Sequence, residues 1–334
     1  YRKFSDSNNN NYTHRIGFGQ DLHILTKEGV IPVSESFDIC SNHVVNLYMN
    51  PLTPFIEKFD GILHPETKSI AQHYETVNEF LFNVIQQRRK DVEEGKRFDD
   101  LLWHFMQGPN THQMSYNDQE LRDILINVII AARDTTAVSI AYAIYMLILH
   151  PEVQSKLLLE IECCFPNEKG ILESDNIIET ISHMTYASAV LNETFRLFPP
   201  VPVNEREVVE DDVWPDGTIV RKGTNISWSS YSQARCSKIW GSDCKEFKPE
   251  RWFSDNGKLY KPASGEWNVF NNIGARACLG ERLARLEALA AILIFVQRYK
   301  IILNKPNQKI DYEVGVALKI KNGLEVLVEK RHSY

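Results

Sequence analysis

Apolar and polar positions change rhythm three times along this chain. Over residues 77–89 the apolar positions Val77, Phe80, Leu81, Val84 and Ile85 recur at the three-and-four spacing of one helix face, and polar residues close the stretch. A polar linker, 91–97, separates it from a short helix predicted over 98–106. The most apolar segment is 121–149, ended by Pro151. Its length would suit a bilayer, but Arg133 and Asp134 at its centre would cost several kcal/mol in lipid, so it predicts a buried central helix. Two more helices are predicted over 151–165 and 184–198, the second stopped by Pro199-Pro200.

The texture then becomes β-like. Short runs over 201–229 are split by Pro215-Asp216-Gly217 and by Lys222-Gly223. A compact turn rich in proline and aromatics occupies 247–253. Residues 280–298 read as a helix whose Ala284, Ala288, Ala290 and Ala291 give a small-residue face, and 299–331 returns to strands with a turn at Lys321-Asn322-Gly323. There are no internal repeats. The class is mainly α with small β-sheets, in one domain over 1–334.

Composition narrows the partners. The chain has 334 residues, 43% hydrophobic, ample for a large core, and a net charge of -7 that argues against nucleic acid. Its six cysteines show neither metal-finger spacing nor disulfide-scaffold density, which points to a reducing compartment. No signal peptide is visible. Residues 1–12, with Asn8-Asn9-Asn10-Asn11, read as a disordered lead, and a start at Tyr1 instead of Met suggests a trimmed chain.

Four sites carry candidate chemistry. Cys278 lies in the run Asn272-Ile273-Gly274-Ala275-Arg276-Ala277-Cys278-Leu279-Gly280. The glycines let backbone approach a ligand closely, and the helix that follows turns its positive end toward the sulfur. Arg276 can pair with a carboxylate. A lone buried cysteine is otherwise a small hydrophobe. Within the central helix, Asp134 and Thr135 follow Ala131, Ala132 and Arg133. Either they are satisfied locally, the hydroxyl bonding back and the acid pairing with Arg133, or they loosen the helix ladder and hold water for proton transfer. Glu193 and Arg196 share a helix face at i,i+3, a weak signal alone. The turn Phe247-Lys248-Pro249-Glu250-Arg251-Trp252 reads as an ordinary surface turn, unless its arginine joins a buried Glu193 to lock a loop.

In this order the four sites resemble the cytochrome P-450 family of haem-thiolate monooxygenases, over residues 15–331. The resemblance implies that fold, lacking its N-terminal part, and haem b as cofactor. It makes Cys278 the axial iron ligand, with Gly274, Gly280 and Ala132 close to the haem. Arg276 would bind one propionate, and Arg206 a second, if it is not simply an exposed strand residue. Glu193, Arg196 and Arg251 would be the structural triad behind the cysteine loop. Asp134 and Thr135 would be the catalytic pair delivering protons during oxygen activation, and 314–318 would enter the substrate pocket.

Three departures stand out. Ala132 replaces the usual glycine. The phenylalanine expected seven residues before the cysteine is Asn271, with Phe270 one position earlier, which implies a one-residue insertion and leaves Ile273 to fill the space. The chain is also shorter at its N-terminus than family members, which removes the membrane anchor and early helices. The stretches 211–218 and 239–247 resemble the fatty-acid and alkane ω-hydroxylase branch. That implies insertion of one oxygen atom from O2 into a C–H bond of a lipophilic substrate. Electrons would come from an NADPH-dependent cytochrome P-450 reductase, and the full-length protein would sit on the cytosolic face of the endoplasmic reticulum membrane. The alternative is a haem-deficient, inactive fragment of such an enzyme.

Overall fold

A computed structural model of the chain describes residues 32–63, 68–107, 116–166, 171–174, 176–260, 262–263, 265–271, 274–305 and 309–331. The expected disordered lead, 1–12, and Ile273 lie outside these residues. The chain forms two compact units, one running to Ala137 with Val314–Val316, the other comprising the remainder.

The first unit is helical: α1 (Pro32–Met49), α2 (Thr53–Leu63), α3 (Ile70–Glu93), α4 (Leu101–Gln107) and the first part of α5 (Asp118–Leu149). Two of these helices begin on capping boxes, which satisfy backbone N–H groups that a helix start leaves orphaned. Ser69 and Gln72 cap α3. Asn117 Oδ1 accepts from Glu120 N at 3.0 Å, and Glu120 Oε2 accepts from Asn117 N at 2.8 Å, at the head of α5. The capping box sets α3 to begin seven residues before the first apolar position read from the sequence, and α3 ends at Glu93, inside the expected linker. Val77, Leu81, Val84 and Ile85 pack with Leu102, Leu121, Leu125 and Ile129 into one apolar core. Buried Arg88 forks onto Asp100 with two contacts of 2.7 Å and lies 3.7 Å from the Phe98 ring centroid. Asp100 Oδ1 also accepts from Trp103 N at 2.9 Å, so one carboxylate caps α4 and ties it to α3.

The second unit continues α5 and adds α6 (Pro151–Cys164), α7 (Ile177–His183), α8 (Thr185–Leu197), α9 (Ser230–Gln233), α10 (Ser237–Trp240) and α11 (Glu281–Arg298). Helix α8 packs against α6, α11 and a single 3-10 turn over Pro249–Trp252, and every residue from Ala189 to Leu197 on it is buried. Strand β1 (Val203–Glu207) pairs antiparallel with β4 (Asn225–Ser229), Val203 opposite Ser229. Between them β2 (Asp212–Val213) and β3 (Ile219–Val220) form a nested pair. The turn joining them uses Gly217 at φ 86°, a left-handed conformation that glycine adopts without strain. Strand β5 (Tyr299–Leu303) pairs with β8 (Val326–Lys330), and β6 (Tyr312–Val314) with β7 (Leu318–Ile320).

Candidate haem-thiolate site

Glu193 is the hub of the second unit. Its side chain is fully buried, and its two oxygens accept five hydrogen bonds. Arg196 donates from Nε at 2.7 Å and from Nη2 at 2.8 Å. Arg251 Nε donates at 2.8 Å, Lys248 N at 2.9 Å and Trp252 Nε1 at 3.0 Å. Both arginines have further acceptors. Arg196 reaches the carbonyls of Ala234, Cys244 and Glu246, and Arg251 Nη2 reaches that of Asp243 at 3.0 Å. The Lys248–Trp252 segment is therefore no surface turn. Pro249 and Trp252 are buried, and Trp252 packs on Trp267 at 4.8 Å between ring centroids.

From Trp267 the packing leads to the cysteine loop. Trp267 and Phe270 meet edge to face at 6.2 Å, and Phe270 stacks edge-on to Phe195 at 5.1 Å. Phe270 O accepts the Cys278 backbone N–H at 2.8 Å, closing the loop. Phe270 is buried, and Asn271 follows it at φ 51°, a left-handed conformation that asparagine tolerates better than most residues.

A cleft of about 920 Å³ opens beside this loop, within the size range of cofactor sites. Its wall includes Arg206, Trp228, Asn271, Arg276 and Arg285, together with Ala277, the residue before Cys278. Arg276 makes no ion pair among the described residues. Arg206 lies on β1 with its guanidinium 5.3 Å from the Trp228 ring centroid and Nη1 2.6 Å from Glu205 O. Trp228 Nε1 and Asn271 Oδ1 are buried with no hydrogen-bond partner among the described residues. The Cys278 thiol is free and exposed, and neither Gly274 nor Gly280 has an atom within 4 Å of where a side chain would begin. These residues fit a flat group bearing two carboxylates and a metal that prefers sulfur. They offer two cations, an orphaned indole donor, bare backbone and one thiol.

Arg285, which the reading of the sequence missed, holds α11 to α8. Its Nε donates to Glu281 at 2.9 Å and its Nη1 to Asn192 Oδ1 at 2.6 Å. The guanidinium sits 4.9, 5.5 and 5.7 Å from the rings of Phe270, Trp267 and Phe195. Burial lowers its pKa, an effect that Glu281 opposes. The signal for it was the i,i+4 spacing of Glu281 and Arg285 directly after the cysteine run.

Asp134 and Thr135 belong to the first unit. Thr135 Oγ1 donates to Ala131 O at 2.7 Å, and Asp134 Oδ1 lies 3.7 Å from Arg133 Nε. The helix is continuous here, so the ladder is not opened.

The pattern of the cytochrome P450 family matches residues 11–326. Cytochrome P450 86B1 of Arabidopsis thaliana is 33% identical over 93% of this chain. The alkane hydroxylase MAH1 of the same plant is 32% identical over 77% of it. The chain spans 57% of the first relative and 50% of the second. The solved heme domain of cytochrome P450DA matches 99% of this chain at a TM-score of 0.83 and 20% identity, a likeness of fold, with 68% of that domain covered.

Proposed function

The chain belongs to the cytochrome P450 family, and from that premise we propose that it is the catalytic portion of a haem-thiolate monooxygenase. The supporting observation is the cleft that puts Arg206 and Arg276 on one wall beside the exposed Cys278 loop. When bound, haem would activate O2 and insert one oxygen atom into a substrate C–H bond. Cys278 would supply the sulfur ligand. Arg206 and Arg276 take the two propionates, with Trp228 Nε1 as an added donor. The Glu193, Arg196 and Arg251 network and the Arg285 clamp keep the loop from relaxing. Asp134 passes protons inward from solvent, and the Thr135 hydroxyl orients the last donor in that path.

The substrate class is a long-chain fatty acid or alkane. It is supported by kinship to a protein named as an alkane hydroxylase. Electrons come from an NADPH-dependent cytochrome P-450 reductase at the cytosolic face of the endoplasmic reticulum. An exposed apolar run in the first unit suits contact with lipid: Leu47, Met49, Leu52, Phe55, Ile56 and Phe59 are all exposed.

The deciding experiment is the absorption spectrum of the purified, haem-reconstituted protein, reduced and exposed to carbon monoxide. The strongly red-shifted Soret band of thiolate-ligated haem is expected, and Cys278→Ser should abolish that shift. Failure to take up haem would establish the inactive-fragment reading instead.

A further inference from the structure

Three tryptophans stack in sequence at the cleft. Trp267 lines its wall, and its ring centroid lies 4.8 Å from that of the fully buried Trp252. Trp240 follows at 5.6 Å from Trp252. Tyr260 lines the same cleft and is 40% exposed. It donates its backbone N–H to Trp252 O at 2.6 Å and its hydroxyl to Glu266 Oε2 at 2.7 Å. Indole and phenol rings give up single electrons readily, and rings in contact exchange them quickly. Phe195 and Phe270, which pack on the same stack, hold theirs too tightly to take part.

Charges grade the stack. The Arg285 guanidinium is 5.5 Å from the Trp267 ring centroid, and that of Arg196 is 5.0 Å from the Trp240 ring centroid. A cation over a ring opposes loss of an electron from it. Trp252 instead donates Nε1–H to the Glu193 carboxylate at 3.0 Å, which stabilises the positive ring that electron loss leaves. An electron vacancy made at Trp267 therefore runs downhill to Trp252 and meets a rise at Trp240. Tyr260 offers the exit, because its phenol can lose an electron while its proton passes to Glu266.

We propose that Trp267, Trp252 and Tyr260 form a one-electron relay from the cleft to the surface, which lets the chain reduce hydrogen peroxide at the expense of an external reductant such as ascorbate. This rests on the haem-thiolate reading above, since a haem thiolate favours O–O cleavage. In each passage Trp267 gives one electron into the cleft, Trp252 refills Trp267, and Tyr260 refills Trp252. The Tyr260 proton goes to Glu266 and on to water, and ascorbate returns a hydrogen atom to the tyrosine. Two passages, with two protons drawn from water, turn one peroxide into two waters and two ascorbates into ascorbyl radicals. Without the relay, an oxidising equivalent that finds no C–H bond falls on the sulfur of Cys278, whose higher oxidation states are not reversed.

The test mixes the haem-loaded protein with hydrogen peroxide and freezes it for electron paramagnetic resonance. A tyrosine radical is expected, and a nitroso spin trap followed by peptide mass spectrometry should place the adduct on Tyr260. Tyr260→Phe should abolish that adduct and leave a tryptophan radical, recognised by the narrowing of its signal with ring-deuterated tryptophan. Trp267→Phe, which keeps a ring in the stack, should lose the Tyr260 adduct, and its Soret band should bleach faster than that of the parent protein when ascorbate is present.

An undiminished Tyr260 adduct in Trp267→Phe would overturn the relay. If Trp267→Phe does not fold, Tyr260→Phe decides alone, and the absence of a tryptophan radical there overturns it. The carbon monoxide spectrum of the same sample separates the two readings. With the thiolate-type band present and no adduct on Tyr260, the relay fails alone. With no haem taken up, the haem-thiolate reading fails and the relay with it.

Discussion

Replacing Glu193 by glutamine keeps the shape of the side chain and removes the charge at the centre of the second unit. Whichever way the new amide is turned, its nitrogen meets donors. In one orientation it faces Arg196 Nε and Trp252 Nε1, in the other Arg196 Nη2, Arg251 Nε and Lys248 N. At least two of five hydrogen bonds are lost outright. Arg196, whose side chain is fully buried, keeps its positive charge and loses its counter-charge. Breaking a buried pair from one side costs about 3 to 5 kcal/mol, a large share of the roughly 5 to 15 kcal/mol that holds a domain folded. With a urea slope of about 3 kcal/mol per molar, the unfolding midpoint should drop by about 1 M or more. Trp252 fluorescence is a local reporter, since its indole donates to Glu193 and packs against Trp267. Asp211→Asn is the control. It removes an ion pair of similar length, 2.7 Å, whose partners are 70% and 55% exposed, and it should leave the midpoint where it was. If Glu193→Gln behaves like that control, the network does not brace the loop, and the cysteine is held by its aromatic packing alone.

Other outcomes follow from single positions. Asn271→Gly should fold and retain haem as the parent does, whereas Asn271→Val should lose about 1 to 2 kcal/mol, because a branched side chain is strained at a left-handed residue; urea unfolding of both variants decides it. Burial pushes the Glu287 carboxyl up to about 7, so the folded state keeps a proton that the unfolded chain releases near 4.5. Stability should therefore fall by about 3 kcal/mol between pH 4.5 and 7 and then level off, and Glu287→Gln should remove that slope; an unchanged slope in midpoints measured from pH 5 to 8 would refute it. Arg206→Ala and Arg276→Ala should each speed haem transfer to an acceptor apoprotein by about ten- to a hundredfold, the worth of one charge-assisted hydrogen bond, and transfer rates equal to the parent would remove that residue from the site.

Periodicity revealed the long helices because their apolar stripes are continuous. Val77 through Ile85 and Leu121 through Ile129 form one core, as their spacing implied. It missed α1 and α2. Only Ser36 and Cys40 are buried on α1, and Val44, Leu47, Phe55 and Phe59 face outward, so burial imposes no clean period there. It also missed α7, a two-turn helix with one buried residue, Ile181. Glu193, Arg196 and Arg251 were brought together by the family resemblance, since an i,i+3 pair and a proline-rich turn are each weak signals alone. Asn192, Trp228 and Arg285 were not, since each becomes informative only when distant segments meet in the cleft. The ion pair of Arg133 on α5 with Asp38 on α1, 2.6 Å long, is of the same kind: nothing in the sequence says that α1 supplies the acid.

Neighbouring residues on α8 divide the labour of holding one thiol. Asn192 takes Arg285 from α11, the helix that begins just beyond Cys278. Glu193 takes Arg251 and Trp252 from the turn that carries the aromatic stack toward Phe270. Both ends of the cysteine loop are thus tied to adjacent positions of a helix whose face turns nowhere toward solvent from Ala189 to Leu197. The loop between them is the opposite. Residues 274–280 are exposed, and the bond that ties their backbone to the packed aromatic stack runs from Cys278 N–H to Phe270 O at 2.8 Å. An exposed loop on fixed ends can meet a flat ligand without a large entropic cost, because the ordering has already been done by the ends.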